Sequence, residues 1–245
     1  MKHMEIMCYT YGEVTMYVPP IVNKYQYIPY PRIQTEEGRK YQTPSGNLPS
    51  VTTILSATKD CEALKKWREF VGNEVADGIT LEATTVGTFM HENLEYRLVG
   101  KEDHPGNMPV RVLGRRMADV IQENAWPKIN EVWGQEVPLY YEGLWAGTTD
   151  LIGIHDGIPS IMDYKNSRKP KTIKLVEDYK LQLAAYALAH NNMFGTTINR
   201  GVIFICVRED PKNLKYQEFV VEGQEFKDAI DMWIDRVNKF YTMEN

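Results

Sequence analysis

The sequence Gly147-Thr148-Thr149-Asp150 is followed thirteen residues later by Asp163-Tyr164-Lys165, which sets two carboxylates and an ammonium on two short apolar runs. Hydrolysis of a phosphodiester at neutral pH needs an activated water and positive charge against a phosphorane-like transition state. One or two hard cations held by carboxylates supply both. A turn at Asp156-Gly157 would pair the two runs and bring Asp150 and Asp163 together at one edge of a sheet. Strand side chains alternate, so Lys165 falls on the face of Asp163, where it can orient or deprotonate water or neutralise developing charge. Asp-x-Lys alone is equally what a hairpin with solvated charges carries.

Further groups recur at helical spacing. His91 and Glu95 lie one turn apart and can provide a metal ligand with its orienting partner; a buried histidine satisfied by an i,i+4 hydrogen bond has the same pattern. Gly87, one turn earlier, leaves that face open to close approach. Gln182 and Tyr186 form a second i,i+4 pair with polar ends that want partners, or else they are core. Lys165, Arg168, Lys169, Lys171 and Lys174 make a basic run that suits either an exposed loop or a phosphate backbone.

These groups need elements to position them. Residues 1–50 are rich in Tyr and Pro and read as short strands and turns, an arm packed on a core of residues 51–245 within one domain. Arg39-Lys40-Tyr41 runs into a turn at Thr43-Pro44-Ser45-Gly46, and Ser50 can cap a helix. Helices are predicted over Lys59–Asp77 (with Leu64, Trp67, Val71 and Val75 on one stripe and Gly78 as its stop), Val86–Val99 and Val110–Val132. Strands follow at Val137–Tyr141, Leu144–Ile154 and Ile158–Tyr164. A helix over Ile173–Met193 with Leu175 on its stripe, strands Gly201–Val207 and Lys215–Val221, and a helix Phe226–Tyr241 complete the chain. The order implies an α/β fold, a small mixed central β-sheet flanked by helices.

The 245 residues, 43% hydrophobic and 25% charged, have an ordinary globular composition. The net charge of −5 and pI near 5.6 are not those of a bulk nucleic-acid binder, whose pI usually exceeds ~9, so any such contact rests on local clusters. Cys8, Cys61 and Cys206 are too few and too scattered for a disulfide framework, a zinc site or an iron–sulfur cluster. No apolar run approaches the ~20 residues of a membrane span, and a cytoplasmic location without a membrane partner is expected.

Taken together and in order, Gly87-x-x-x-His91-x-x-x-Glu95, Gly147-x-x-Asp150, Asp163-x-Lys165 and Gln182-x-x-x-Tyr186 resemble the PD-(D/E)XK nuclease superfamily. The upstream His and downstream Gln-x-x-x-Tyr are similar to its RecB-like branch, and Pro49-Ser50-Val51-Thr52-Thr53-Ile54-Leu55 to the mitochondrial genome maintenance exonuclease and related phage exonucleases. The resemblance implies a restriction-endonuclease-like core and a Mg²⁺- or Mn²⁺-dependent exonuclease acting on single-stranded DNA or DNA ends in replication, recombination or repair. It implies His91, Asp150 and Asp163 as metal ligands, joined by the Tyr164 carbonyl and Glu136, with Lys165 as the catalytic lysine. Gln182 and Tyr186 would support the site and contact DNA, with Ser50, Thr52, Arg168, Lys169, Lys171 and Glu95 in further DNA-binding or supporting roles. A structure-specific endonuclease would use the same residues. A DNA-binding or assembly module with a vestigial site is the rival from another class.

Overall fold

A computed structural model describes residues 8–11, 14–103 and 105–243. The first elements are short: a hairpin of β1 (Cys8–Tyr11) and β2 (Val14–Tyr17), then a three-stranded antiparallel sheet of β3 (Arg32–Thr35), β4 (Gly38–Thr43) and β5 (Gly46–Pro49). Its turns close on glycines with positive φ, Gly38 at 118° and Gly46 at 109°. Ser50 accepts the Thr53 N–H at 3.0 Å and so caps α1 (Val51–Thr58), as its position in the sequence suggests.

The helix predicted over Lys59–Asp77 is two helices. α2 (Glu62–Val71) ends at Gly72, whose φ of 86° no helix interior accommodates, and α3 (Asn73–Leu98) then runs 26 residues straight through Gly78. Leu64 and Val75, expected on a buried stripe, are exposed. The helix predicted over Val110–Val132 is also too long: α4 spans Pro109–Ala125, because Pro127 cannot donate to a continuing helix. After a short turn of 3₁₀ helix, the chain is already extended in β6 (Ile129–Tyr141), eight residues before the predicted strand.

β7 (Trp145–His155) and β8 (Ile158–Ser167) form a hairpin at Asp156-Gly157, both with positive φ as a tight two-residue turn requires. A 3₁₀ turn at Ile173–Val176, which leaves Leu175 exposed, leads into α5 (Glu177–Phe194). Then come β9 (Gly201–Val207), β10 (Lys215–Val221) and α6 (Gly223–Met243). The central sheet has the order β10-β9-β8-β7-β6; only β8 and β9 pair in parallel, joined through α5. This is the mixed, helix-flanked sheet expected.

Each sheet face buries its own apolar layer. On one side α1, α5 and α6 enclose Trp145, Ile203, Ile205 and Trp233. On the other α3 and α4 enclose Leu94, Met117, Trp126 and Phe204. All seven residues of β9 are buried, which is why its sequence reads as an uninterrupted apolar run. No helix among the described residues is long and apolar enough to cross a membrane.

Candidate active site

β7 and β8 separate where the carboxylates stand. Their pairing ends at Leu151 and Met162; beyond it β7 stays with β6 and β8 with β9. Asp150 and Asp163 are the next residues on the two sides of this fork. They therefore sit inside the sheet, with β8 its middle strand, and not at the edge that the sequence suggested. Asp150 Oδ2 accepts the Tyr164 N–H at 2.7 Å, so a side chain replaces a ladder bond and is fixed by it.

α3 lays His91 and Glu95 over the fork, in a recess shared with Gln135, Glu136, Asp150 and Tyr164. His91 Nδ1 lies 3.6 Å from Asp150 Oδ2, and its ring meets Tyr164 edge-on at 5.9 Å. Trp126 Nε1 donates to the Tyr164 hydroxyl at 3.0 Å and holds that buried ring in place. One donor atom each from His91, Glu136 and Asp150 lies within 4.8 Å of the others. Glu136 has φ 47°, a conformation that costs a non-glycine residue on the order of 1–3 kcal/mol, between flanking residues in regular pairing with β7. Strain of that kind gathers where a side chain has a task.

Asp163 stands beside this trio and not in it. Its Oδ2 is 2.5 Å from Lys165 Nζ, with the carboxylate buried and the lysine partly open to solvent. Lys165 Nζ also lies 5.1 Å from the centre of the Tyr179 ring, a cation–π contact. Burial works against the Lys165 charge, but Asp163 and Asp150 outweigh it and hold the ammonium above its ordinary pKa. Burial raises the Asp163 carboxyl despite Lys165. Desolvation, joined by Asp150 and Glu95 and opposed by Arg32, pushes Glu136 up to about 8. Burial also raises Glu95, with His91 pulling against it and Asp150 adding to it. Negative charge is thus in surplus, and an imidazole nitrogen with two carboxylates fits a divalent cation that takes oxygen and nitrogen ligands.

Gln182 Nε2 donates to the Tyr186 hydroxyl at 3.1 Å, joining that pair on the buried face of α5. A Cβ at Gly147 would lie 2.7 Å from the Tyr186 ring, so the glycine is what lets α5 close onto β7. What approaches Gly87 is Asn166: a Cβ there would lie 2.5 Å from its Nδ2, which donates to Ala83 O at 3.2 Å and ties α3 to β8. Ser50 is buried and its hydroxyl serves the α1 cap, while Thr52 faces a separate depression beside Gly38 and Arg39. Arg168 and Lys169 are exposed, and Lys171 exchanges backbone hydrogen bonds with the Gln217 side chain at 2.7 and 3.0 Å. Four residues near the site escaped the sequence reading: Arg32, Gln135, Asn166 and Tyr179. Only Tyr179 had a signal, since it precedes Gln182 and Tyr186 at spacings of three and seven on one helix face.

Among solved structures, a "Putative exonuclease" from Eubacterium rectale is similar over 67% of this chain and 69% of that one, at 14% identity and a TM-score of 0.48. SSO0001 is similar over 46% and 50%, at 16% identity and a TM-score of 0.29. No curated protein matches the chain. The family model of the PD-(D/E)XK nuclease superfamily matches residues 90–242, a span that takes in His91, Glu136, Asp150, Asp163, Lys165, Gln182 and Tyr186; the chain belongs to that superfamily.

Proposed function

We propose that this protein is a divalent-metal-dependent deoxyribonuclease, an exonuclease of single-stranded DNA or DNA ends in replication, recombination or repair. The observation that carries this reading is the convergence of His91, Glu136 and Asp150 beside the Asp163–Lys165 pair in a chain of this superfamily. A bound Mg²⁺ or Mn²⁺ supplies polarisation of the phosphoryl group and a more acidic water.

The chain's own residues do the rest. Asp150, fixed by the Tyr164 N–H, holds the ion together with His91 and Glu136. Asp163 aims Lys165 and keeps it charged. A lysine held protonated serves by orienting water and by balancing the negative charge that grows on the phosphoryl oxygens, rather than by removing a proton. Gln182 and Tyr186 form the wall of the site, and Arg168 and Lys169 are free to meet backbone phosphates.

Digestion of end-labelled single- and double-stranded oligonucleotides, with Mg²⁺, with Mn²⁺ and with chelator, tests the proposal. Metal-dependent shortening from an end, with a circular single strand left intact, is expected. Cutting of the circle would favour a structure-specific endonuclease, and DNA binding without cleavage under any metal would favour a module with a vestigial site.

A further inference from the structure

A second depression adjoins the metal-binding recess, and Gln135 and Glu136 line both. Its far wall comes from the arm: Tyr27 and Tyr30, which precede β3, Arg32 on β3, and Tyr41 on β4. The cavity is about 360 Å³, enough for one nucleotide unit. Two of the rings are fixed by the protein, since the Tyr27 hydroxyl meets His190 Nε2 at 3.1 Å and the Tyr41 hydroxyl meets Thr148 Oγ1 at 3.0 Å. Tyr30 is half-buried; it packs edge-to-face with Tyr140 at 5.3 Å and against the small apolar cluster of Tyr41, Leu48 and Ala146. Arg32 is exposed and, among the described residues, its guanidinium has no hydrogen-bond or ion-pair partner. Gln135 Oε1 is buried there without a hydrogen bond, an acceptor that a donor on a ligand would satisfy.

We infer that this aromatic groove is a nucleotide subsite: it takes the unpaired base neighbouring the bond in the metal recess, stacked on Tyr30, with the adjoining phosphate on Arg32. The inference rests on the nuclease reading for the direction of the strand into Glu136, and it makes that reading specific, because a base can enter only from a single strand. Every base has a ring face, so such a groove selects strandedness and not sequence. Arg32 suits the phosphate because a guanidinium is always charged and meets two phosphoryl oxygens at once.

The test is fluorescence anisotropy with a labelled oligothymidylate and with a strand of equal length that lacks its bases, both in chelator so that no cleavage intervenes. Wild-type protein should prefer the base-bearing strand. Tyr30→Ala should lower its affinity for that strand roughly five- to hundredfold and erase the preference, while Tyr30→Phe retains it. Arg32→Ala should weaken both strands alike and reduce the salt slope of single-strand binding by about 0.7. Since Arg32 is exposed, that variant carries the test even if Tyr30→Ala does not fold. Equal affinity of wild type for the two strands, or an unchanged affinity in Tyr30→Ala, overturns the subsite whatever the cleavage shows. Base-dependent binding lost in Tyr30→Ala, in a protein that cuts no DNA with either metal, would uphold the subsite and overturn the nuclease.

Discussion

Two clusters in this protein have the same ligand inventory. His91, Glu136 and Asp150 bring three donor atoms within 4.8 Å, and so do His155, Asp156 and Glu218 at the other end of β7. The second trio already contains its cations. Lys128 Nζ meets both Glu218 oxygens at 2.8 and 3.0 Å, the Tyr216 hydroxyl donates to Glu218 at 2.6 Å, and Arg200 donates to His155 O at 2.6 Å. Desolvation would raise Glu218, yet Lys128 and Tyr216 hold it below the usual carboxylate range. In the first trio burial drives the corresponding carboxylate, Glu136, upward, and Asp150 and Glu95 add to the rise. Donor types are common to both; among the described residues no lysine or arginine forms an ion pair with Glu136 or Asp150 as Lys128 does with Glu218.

The sharpest way to break that contrast is to remove one charge from each region. Lys165→Ala should lower the cleavage rate per folded molecule by about 10²–10³-fold, as for loss of a group that stabilises charge developing in the reaction. Its stability also falls, because the buried Asp163 loses its cation. Glu218→Gln should change stability alone. It leaves Lys128 without its partner and should cost roughly 1–3 kcal/mol in chemical denaturation while cleavage by the folded fraction is unchanged. A nuclease defect in Glu218→Gln at full occupancy of the folded state, or full activity in Lys165→Ala, would remove the distinction between the regions.

A smaller effect separates them without activity. At a hundred times its dissociation constant, Mn²⁺ bound only to the native state stabilises by about 2.7 kcal/mol, which for a chain of this size raises the melting temperature by roughly 5–10 °C. That shift should vanish in Asp150→Asn and survive in Glu218→Gln. Survival in Asp150→Asn with loss in Glu218→Gln would assign the metal to the wrong cluster.

The residues of the candidate site were legible because their spacing survives folding. His91 and Glu95 share a helix face, Asp163 and Lys165 share a strand face, and Gln182 bonds Tyr186 one turn on, each by local geometry. Long-range geometry left no such trace. Nothing in the sequence says that β7 and β8 part at Leu151, that Glu136 takes a left-handed backbone, or that Arg32 comes back from the arm to face it. The wrong helix limits came from following apolar spacing past the punctuation: Pro127 ends one helix and Gly72 divides another, whereas Gly78 is carried inside α3 because packing elsewhere on the helix tolerates its cost of about 1 kcal/mol. The second metal-like trio was invisible because only His155 and Asp156 are neighbours in sequence, and Glu218 reaches them from β10 across the sheet.

The smallest expected effect is one of pH, read at the second cluster through His155. His155 is fully buried, and desolvation holds its pKa below 6.5, with Asp156 and Glu218 pulling upward and Arg200 and Lys128 adding to the depression. The unfolded chain therefore takes up this proton more readily than the folded one, so the stabilising contribution is present above pH 6.5 and is lost as pH falls below it. In His155→Gln the group is neutral at every pH, whereas His190, also held low by burial, is the same in both proteins and cancels in the difference. Urea denaturation in chelator between pH 7.5 and 5 should show wild type losing more stability on acidification than His155→Gln. Parallel curves would mean that the imidazole at this end of β7 is not kept neutral, and that the second cluster is less completely neutralised than its bonds to Lys128 and Arg200 imply.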